Sequence, residues 1–198
     1  MSDRMDLFSG IAELPLLSVS MIDPAVERTL AELCVRAKAR TIIEVGTLLG
    51  MGSTQVFCNA LPPDGRLYCV DTFSLDMARF DRPKDPHYHA FLSNMKQVGT
   101  ASKIVPLRMT SLEASRALAV TADLVFIDGH HGETSVMADI AAWMPHVRPG
   151  GILCGDDYNA LNCPQVTPAV QRALPSHQVE GRIWWVETET AKLPKVEI

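Results

Sequence analysis

The sequence predicts an α/β protein: a mostly parallel sheet with helices on both faces, closed at its C-terminal end by an antiparallel hairpin. Three observations carry this. Short runs such as TIIEV at 41–45, RLYCVD at 66–71 and DLVFID at 123–128 have the unbroken apolar character of strands covered on both faces. Segments with the 3.6-residue spacing of helices alternate with them, and parallel neighbours require such crossovers. The 198 residues suit one domain spanning 1–198, long enough to bury about 70% of its unfolded surface in a single core.

Taken in order, residues 1–22 are an N-terminal extension, weakly patterned and holding Pro15, that covers an edge of the core or borders a pocket. Asp23 followed by Pro24 makes a helix start, with Asp as cap and Pro in the first turn. Val26, Leu30, Leu33 and Ala37 give that helix its apolar stripe. The strand at 41–45 runs into Gly46, Gly50 and Gly52, and a helix capped by Ser53 or Thr54 follows to about residue 61. Pro62, Pro63, Asp64 and Gly65 turn the chain into the strand at 66–71. Residues 72–86 show neither period and read as a loop. A helix over 87–98, through Phe91, Met95 and Val98, ends at Gly99. A strand at 103–107, a helix at 111–119, the strand at 123–128 and a helix from 133 to about 146 come next. Pro149, Gly150 and Gly151 close that helix, and a fifth strand begins at 152–154. A helix over 166–174 precedes the hairpin, whose arms at 177–180 and 182–187 flank Gly181.

Composition is that of an ordinary globular chain, 47% hydrophobic and 21% charged. Its net charge of −5 argues against general binding to nucleic acid or an anionic membrane and leaves small molecules as partners. No apolar run approaches the roughly 18 residues of a membrane span, and the opening MSDRMDLFSG lacks the basic start and apolar core of a signal peptide, so a cytoplasmic location is expected. Five scattered cysteines with no CxxC pair read as reduced, mostly buried thiols. Trp143, Trp184 and Trp185 fall at apolar positions and are expected in the core.

Ligands of such sheets bind outside the carboxyl ends of the strands, which directs attention to residues 44–52, 71–73, 109–111, 128–131 and 156–158. Gly46 lets the chain turn sharply and lets a ligand approach the backbone. Glu44 before it would repel a diphosphate and favour an ammonium or hydroxyl group.

The pattern E-x-G-x-x-x-G at Glu44, Gly46 and Gly50, with Asp71 ending the next strand, resembles the class I S-adenosylmethionine-dependent methyltransferases over roughly residues 23–187. The resemblance implies a Rossmann-like, doubly wound, seven-stranded sheet and S-adenosylmethionine as cofactor. It assigns the cofactor to Glu44, Gly46, Thr47, Gly50, Gly52 and Ser53 in the loop, to Asp71 at the ribose with Thr72 beside it, to Ser111 or its neighbour Thr110 at the adenine, and to Asp128 and His130. A carboxylate suits a vicinal diol, and an acidic loop suits a sulfonium ligand without phosphate. The alternatives are an NAD(P)-dependent oxidoreductase, whose G-x-G-x-x-G differs from the G-x-x-x-G-x-G found here, and a non-catalytic cofactor-binding module.

The stretch FIDGHHGETSVMADIAAWMPHVRPGGILCGDDY, residues 126–158, resembles a subgroup of small methyltransferases (methyltransferase domain 24-like) with D-x-x-H after the fourth strand and G-D-D-Y after the fifth. Its layout is similar to that of metal-dependent O-methyltransferases. The resemblance implies a magnesium ion at Asp128, Asp156 and Asp157, three carboxylates that would repel one another unless a hard cation or protonation relieved them. The simpler role for these acids is to cap turns and order loops. His131, three residues after Asp128, stands where those enzymes place a basic residue, a lysine, and is the candidate general base, with Asp128 beside it as catalytic; His130 would border the pocket. Two loop histidines bonded to backbone are the competing reading. The expected reaction is methylation of a small acceptor on oxygen, with residues 72–88 as a lid and a homodimer allowed for.

Overall fold

Seven strands form one sheet in the order β3-β2-β1-β4-β5-β7-β6 in a computed structural model that describes residues 7–16, 22–77 and 86–189. The strands are β1 (Thr41–Val45), β2 (Arg66–Asp71), β3 (Ile104–Arg108), β4 (Ala122–Ile127), β5 (Val147–Gly155), β6 (Gln178–Glu180) and β7 (Ile183–Glu187). The first five are mutually parallel; β7 runs antiparallel to β5, and β6 antiparallel to β7. Strand order reverses between β1 and β4, which opens a crevice at their carboxyl ends.

Alternate residues of each strand feed two cores, as the two-residue period of a pleated strand requires. Ile42, Leu67, Leu124 and Phe126 face helices α1 (Pro24–Arg36), α2 (Ser53–Ala60) and α3 (His87–Gln97) through Leu30, Leu33, Phe57, Phe91 and Met95. Ile43, Val45, Val125, Ile127 and Leu153 face α4 (Ser111–Ala117), α5 (Glu133–Trp143) and α6 (Val166–Ala173) through Ala114, Val136, Ile140 and Val170. Both layers are closed to solvent: Ile42 and Ile43, neighbours on opposite faces, are fully buried. Trp143, Trp184 and Trp185 are core residues, as expected.

Asp23 caps α1 as the sequence predicts, its Oδ1 accepting from the N–H groups of Ala25 (2.8 Å) and Val26 (3.0 Å). Thr110 and Glu113 close a capping box on α4. Three expectations are corrected. The N-cap of α2 is Gly52, which makes no side-chain bond, because the hydroxyls of Ser53 and Thr54 turn inward to Glu44. Pro149, Gly150 and Gly151 lie within β5 as a bulge: the partner of Ala122 is Val147, but the partner of Leu124 is Ile152. The helix expected to run to about residue 146 ends sooner, α5 giving way at Trp143 to a single 3-10 turn, Met144–His146.

Residues 7–16 lie along α3: Ser93 Oγ accepts from Leu14 N–H at 2.8 Å, and Phe8 and Ile11 pack on the first core. Ile22 lines the crevice, so the described residues of this segment touch both the core edge and the cavity. Thr72–Met77, the described start of the expected lid, is anchored: Phe73 packs edge-on against His87 and at a tilt against Tyr88 and Phe91, and Met77 packs with Leu49 and Ala90. Residues 78–85 lie outside the described residues. All five cysteines are free and buried, and burial pushes Cys34 and Cys58 up to about 12 and Cys163 up to about 11, with Cys69 and Cys154 also raised. Among the described residues no helix is long and apolar enough to cross a membrane.

Candidate active site

The loop after β1 is shaped by steric necessity. Gly46 has φ +89°, and a Cβ there would sit 2.0 Å from the Asp128 carbonyl oxygen, so the tips of β1 and β4 can meet only through glycine. Gly46 N–H donates to Val70 O and Asp128 N–H to Val45 O, both at 2.8 Å, tying the ends of β1, β2 and β4 together. Asp71 organises the loop beyond this tie. Its Oδ2 accepts from Thr47 N–H (3.2 Å) and Leu48 N–H (3.0 Å), and its Oδ1 from Phe73 N–H (2.8 Å). Leu48 and Phe73 both adopt left-handed backbone, strain of the kind held at ligand sites. His87 accepts at Nδ1 from Leu75 N–H (3.3 Å), which leaves Nε2 as the donor to Leu48 O (2.9 Å).

The resulting cavity of about 1080 Å³ is lined by Gly46, Thr47, Gly52, Ser53, Asp71, Thr72, Ser111, Asp128, His130, His131, Asp156 and Asp157 among others. The structure thus brings together the predicted site residues except two. Glu44 is wholly buried beneath the loop, where its oxygens accept from Ser53 Oγ (2.6 Å) and Thr54 Oγ1 (2.7 Å); burial pushes its carboxyl up to about 8. It shapes the loop from below. Gly50 is also off the wall, since a Cβ there would meet Met95 Cε at 2.4 Å.

The cavity fits the expected cofactor. Thr47 Oγ1 is buried on its wall with no hydrogen-bond partner among the described residues, an orphan a ligand would satisfy. A carboxylate offers about four acceptor positions. The three N–H bonds to Asp71 leave Oδ1 able to take a sugar hydroxyl. Ser111 is committed: it donates to Asp139 Oδ1 (2.5 Å) and accepts from Trp143 Nε1 (2.8 Å). Asp139, buried on the cavity wall with its carboxyl raised by burial, was missed by sequence reasoning. Its signal was there, an acid inside the apolar stretch VMADIAAW.

Opposite the loop lie the acids of β4 and β5. Asp156 is 3% exposed, and Arg182 from the hairpin grips both its oxygens, Nε to Oδ1 at 2.5 Å and Nη2 to Oδ2 at 2.6 Å. Asp157, held at φ +63°, has Oδ1 3.0 Å from Arg182 Nη2, outside hydrogen-bond geometry, and Oδ2 3.0 Å from His131 Nε2. His131 Nε2 is also 3.4 Å from Asp128 Oδ1. Burial pushes Asp128 up to about 6, against the pull of His131 and with Asp156 and Asp157 adding to it; the hydrogen bond to Asp128 in turn raises His131. With its Nε2–H given to Asp128, His131 keeps Nδ1 as a basic lone pair. His130 is exposed on the wall and accepts from Gly132 N–H at 3.1 Å.

The expected magnesium ligands do not fit that ion in this arrangement. Magnesium needs oxygens converging in near-octahedral geometry, whereas Asp156 is spent on Arg182 and Asp157 is shared between Arg182 and His131. His131, Asp157 and Cys163 do bring one ligand atom each within 4.8 Å of one another. Arg182, a lone arginine beside the hairpin turn, gave no signal in the sequence.

A family profile described as a methyltransferase domain matches residues 43–158, more than half of the chain. Among solved structures, the O-methyltransferase TomG from Streptomyces achromogenes, involved in tomaymycin synthesis and in complex with S-adenosylmethionine, is 18% identical, with a TM-score of 0.63 over 84% of this chain and 81% of that one. An O-methyltransferase from Bacillus cereus in complex with S-adenosylhomocysteine is 21% identical, with a TM-score of 0.61 over 84% and 82%. A methyltransferase from Geobacter sulfurreducens is 13% identical, with a TM-score of 0.63 over 86% and 81%. Among curated proteins none matches. The profile and the shared fold agree with the cavity: the chain belongs to the methyltransferase domain family and has the class I S-adenosylmethionine-dependent methyltransferase fold.

Proposed function

We propose that this protein transfers a methyl group from S-adenosylmethionine to an oxygen of a small acceptor. The single observation behind this reading is the placement of Asp71, which pins the loop after β1 while keeping an acceptor position on the cavity for a sugar hydroxyl. The cofactor supplies an electrophilic methyl group when bound. Thr47 and Asp71 would hold it; Asp139 and Ser111 would border its base. The protein's own work is then orientation and proton removal. His131 Nδ1 is the group to take the acceptor proton, with Asp128 and Asp157 fixing the ring through Nε2. The buried thiols are in keeping with a cytoplasmic location.

A thermal-shift panel of S-adenosylhomocysteine and NAD(P) tests the reading. A ligand at about 100 times its dissociation constant adds about 2.7 kcal/mol to the native state. Stabilisation by the nucleotides alone would overturn it in favour of an oxidoreductase, and S-adenosylhomocysteine binding without turnover across a hydroxylated acceptor panel would favour a non-catalytic module. For His131 the expectation is a loss of about 10²- to 10⁴-fold in kcat on replacement by Ala, with S-adenosylhomocysteine affinity unchanged. Because its carboxylate neighbour raises His131, wild-type turnover should rise with pH through a value above the ordinary 6.5. An unchanged kcat in His131→Ala would remove it as the base.

A further inference from the structure

The cluster at the tips of β4 and β5 carries its own positive charge. Three carboxylates, Asp128, Asp156 and Asp157, meet Arg182 and His131: Asp128 pairs with His131, Asp156 with Arg182, and Asp157 lies against both. The Arg182–Asp156 contact is a two-point guanidinium–carboxylate pair on a 3% exposed acid, among the strongest hydrogen-bonded ion pairs a protein makes. A divalent ion entering here would have to break both bonds and leave a guanidinium beside a dication, a like-charge contact at short range. His131, Asp157 and Cys163 offer no way round this, because Asp157 faces Arg182 as well.

We infer that Arg182 takes the place that a divalent cation would hold: it offsets charge on Asp156 and Asp157, fixes the loop after β5, and presents its free Nη1 edge to an oxygen of the acceptor. Nη1 has no partner among the described residues, and Arg182 lines the cavity. The inference rests on the methyl-transfer reading and specifies it. The reaction is metal-independent, and the acceptor carries, next to the oxygen that is methylated, a carbonyl, carboxylate or second hydroxyl oxygen able to accept from a guanidinium. Arg182 is here an acceptor-positioning residue in place of a Lewis acid.

The test is binding of Mn2+, followed by electron paramagnetic resonance on chelator-stripped protein, with S-adenosylhomocysteine affinity measured on the same samples. Wild type should bind no Mn2+ at the cluster. Arg182→Gln should free Asp156 and Asp157 and gain one bound Mn2+ per chain, its Mn2+ affinity exceeding that of wild type by about tenfold or more, the equivalent of a lost charge-assisted hydrogen bond. Acceptor positioning is read separately: Arg182→Lys, which keeps the charge but loses the two-point fork, should raise acceptor KM across a hydroxylated panel by about tenfold with S-adenosylhomocysteine affinity unchanged, and an unchanged KM in the folded variant would overturn the positioning role. Stoichiometric Mn2+ on wild type overturns the inference, as does a folded Arg182→Gln that gains none. Should the variant not fold, the wild-type titration decides alone: no Mn2+ bound supports the inference, and one bound overturns it. Failure of wild type to bind S-adenosylhomocysteine would instead overturn the methyl-transfer reading, leaving the Mn2+ result standing.

Discussion

Glu44 is a carboxyl held neutral by its burial, with consequences that can be measured. Its folded value of about 8 stands above the ordinary 4.5, so the folded chain keeps a proton that the unfolded chain loses. The stability this contributes is complete below about 4.5 and is lost as pH rises through about 8. Glu44→Gln should therefore flatten the fall in melting temperature between about pH 5 and pH 9 while leaving the fold intact; identical slopes for the two proteins would contradict the neutral carboxyl. Asp71 faces the cavity and works as a hydrogen-bond acceptor there. Asp71→Asn should weaken S-adenosylhomocysteine binding by about 10- to 100-fold in calorimetric titration, the cost of one or two hydrogen bonds to charge. Both acids were legible in the sequence as strand-end residues, but only one faces the cavity. Position at a strand tip does not reveal which way a side chain leans: Glu44 is turned under the loop by two hydroxyls of α2, and no local spacing encodes that.

At the scale of elements, the turn from β1 into α2 depends on a single missing methyl group. Gly46→Ala would combine left-handed strain with a 2.0 Å clash against backbone. The cost is about 3 kcal/mol, a fall of roughly 6–12 °C in melting temperature for a domain of this size. A drop below a degree or two would mean the strand tips can separate freely. Strands β1, β2 and β4 and helices α1, α3 and α5 were legible because their apolar runs and caps are local signals. The extent of β5 was not: Pro149, Gly150 and Gly151 read as a stop, yet Gly150 N–H donates to Thr188 O at 2.8 Å, a contact made across the sheet by a residue 38 positions on. Arg182 escaped for the same reason. It reaches Asp156 because β7 returns antiparallel beside β5, a pairing settled by tertiary structure.

For the molecule as a whole, the parallel arrangement gathers five strand ends onto one side, so residues as far apart in sequence as Ile22 and Arg182 share one cavity. The crevice between β1 and β4 was foreseeable from alternation alone; the identity of the cation inside it was not. The two cores on either side of the sheet have another consequence. Every cysteine sits within them, each thiol kept protonated by its surroundings. Alkylating reagents should thus find almost nothing to modify in the native protein and five groups in denaturant, so that the labelling rate becomes a built-in clock for how often the layers part, and slowing of that clock by S-adenosylhomocysteine would report cofactor capture without any assay of methyl transfer.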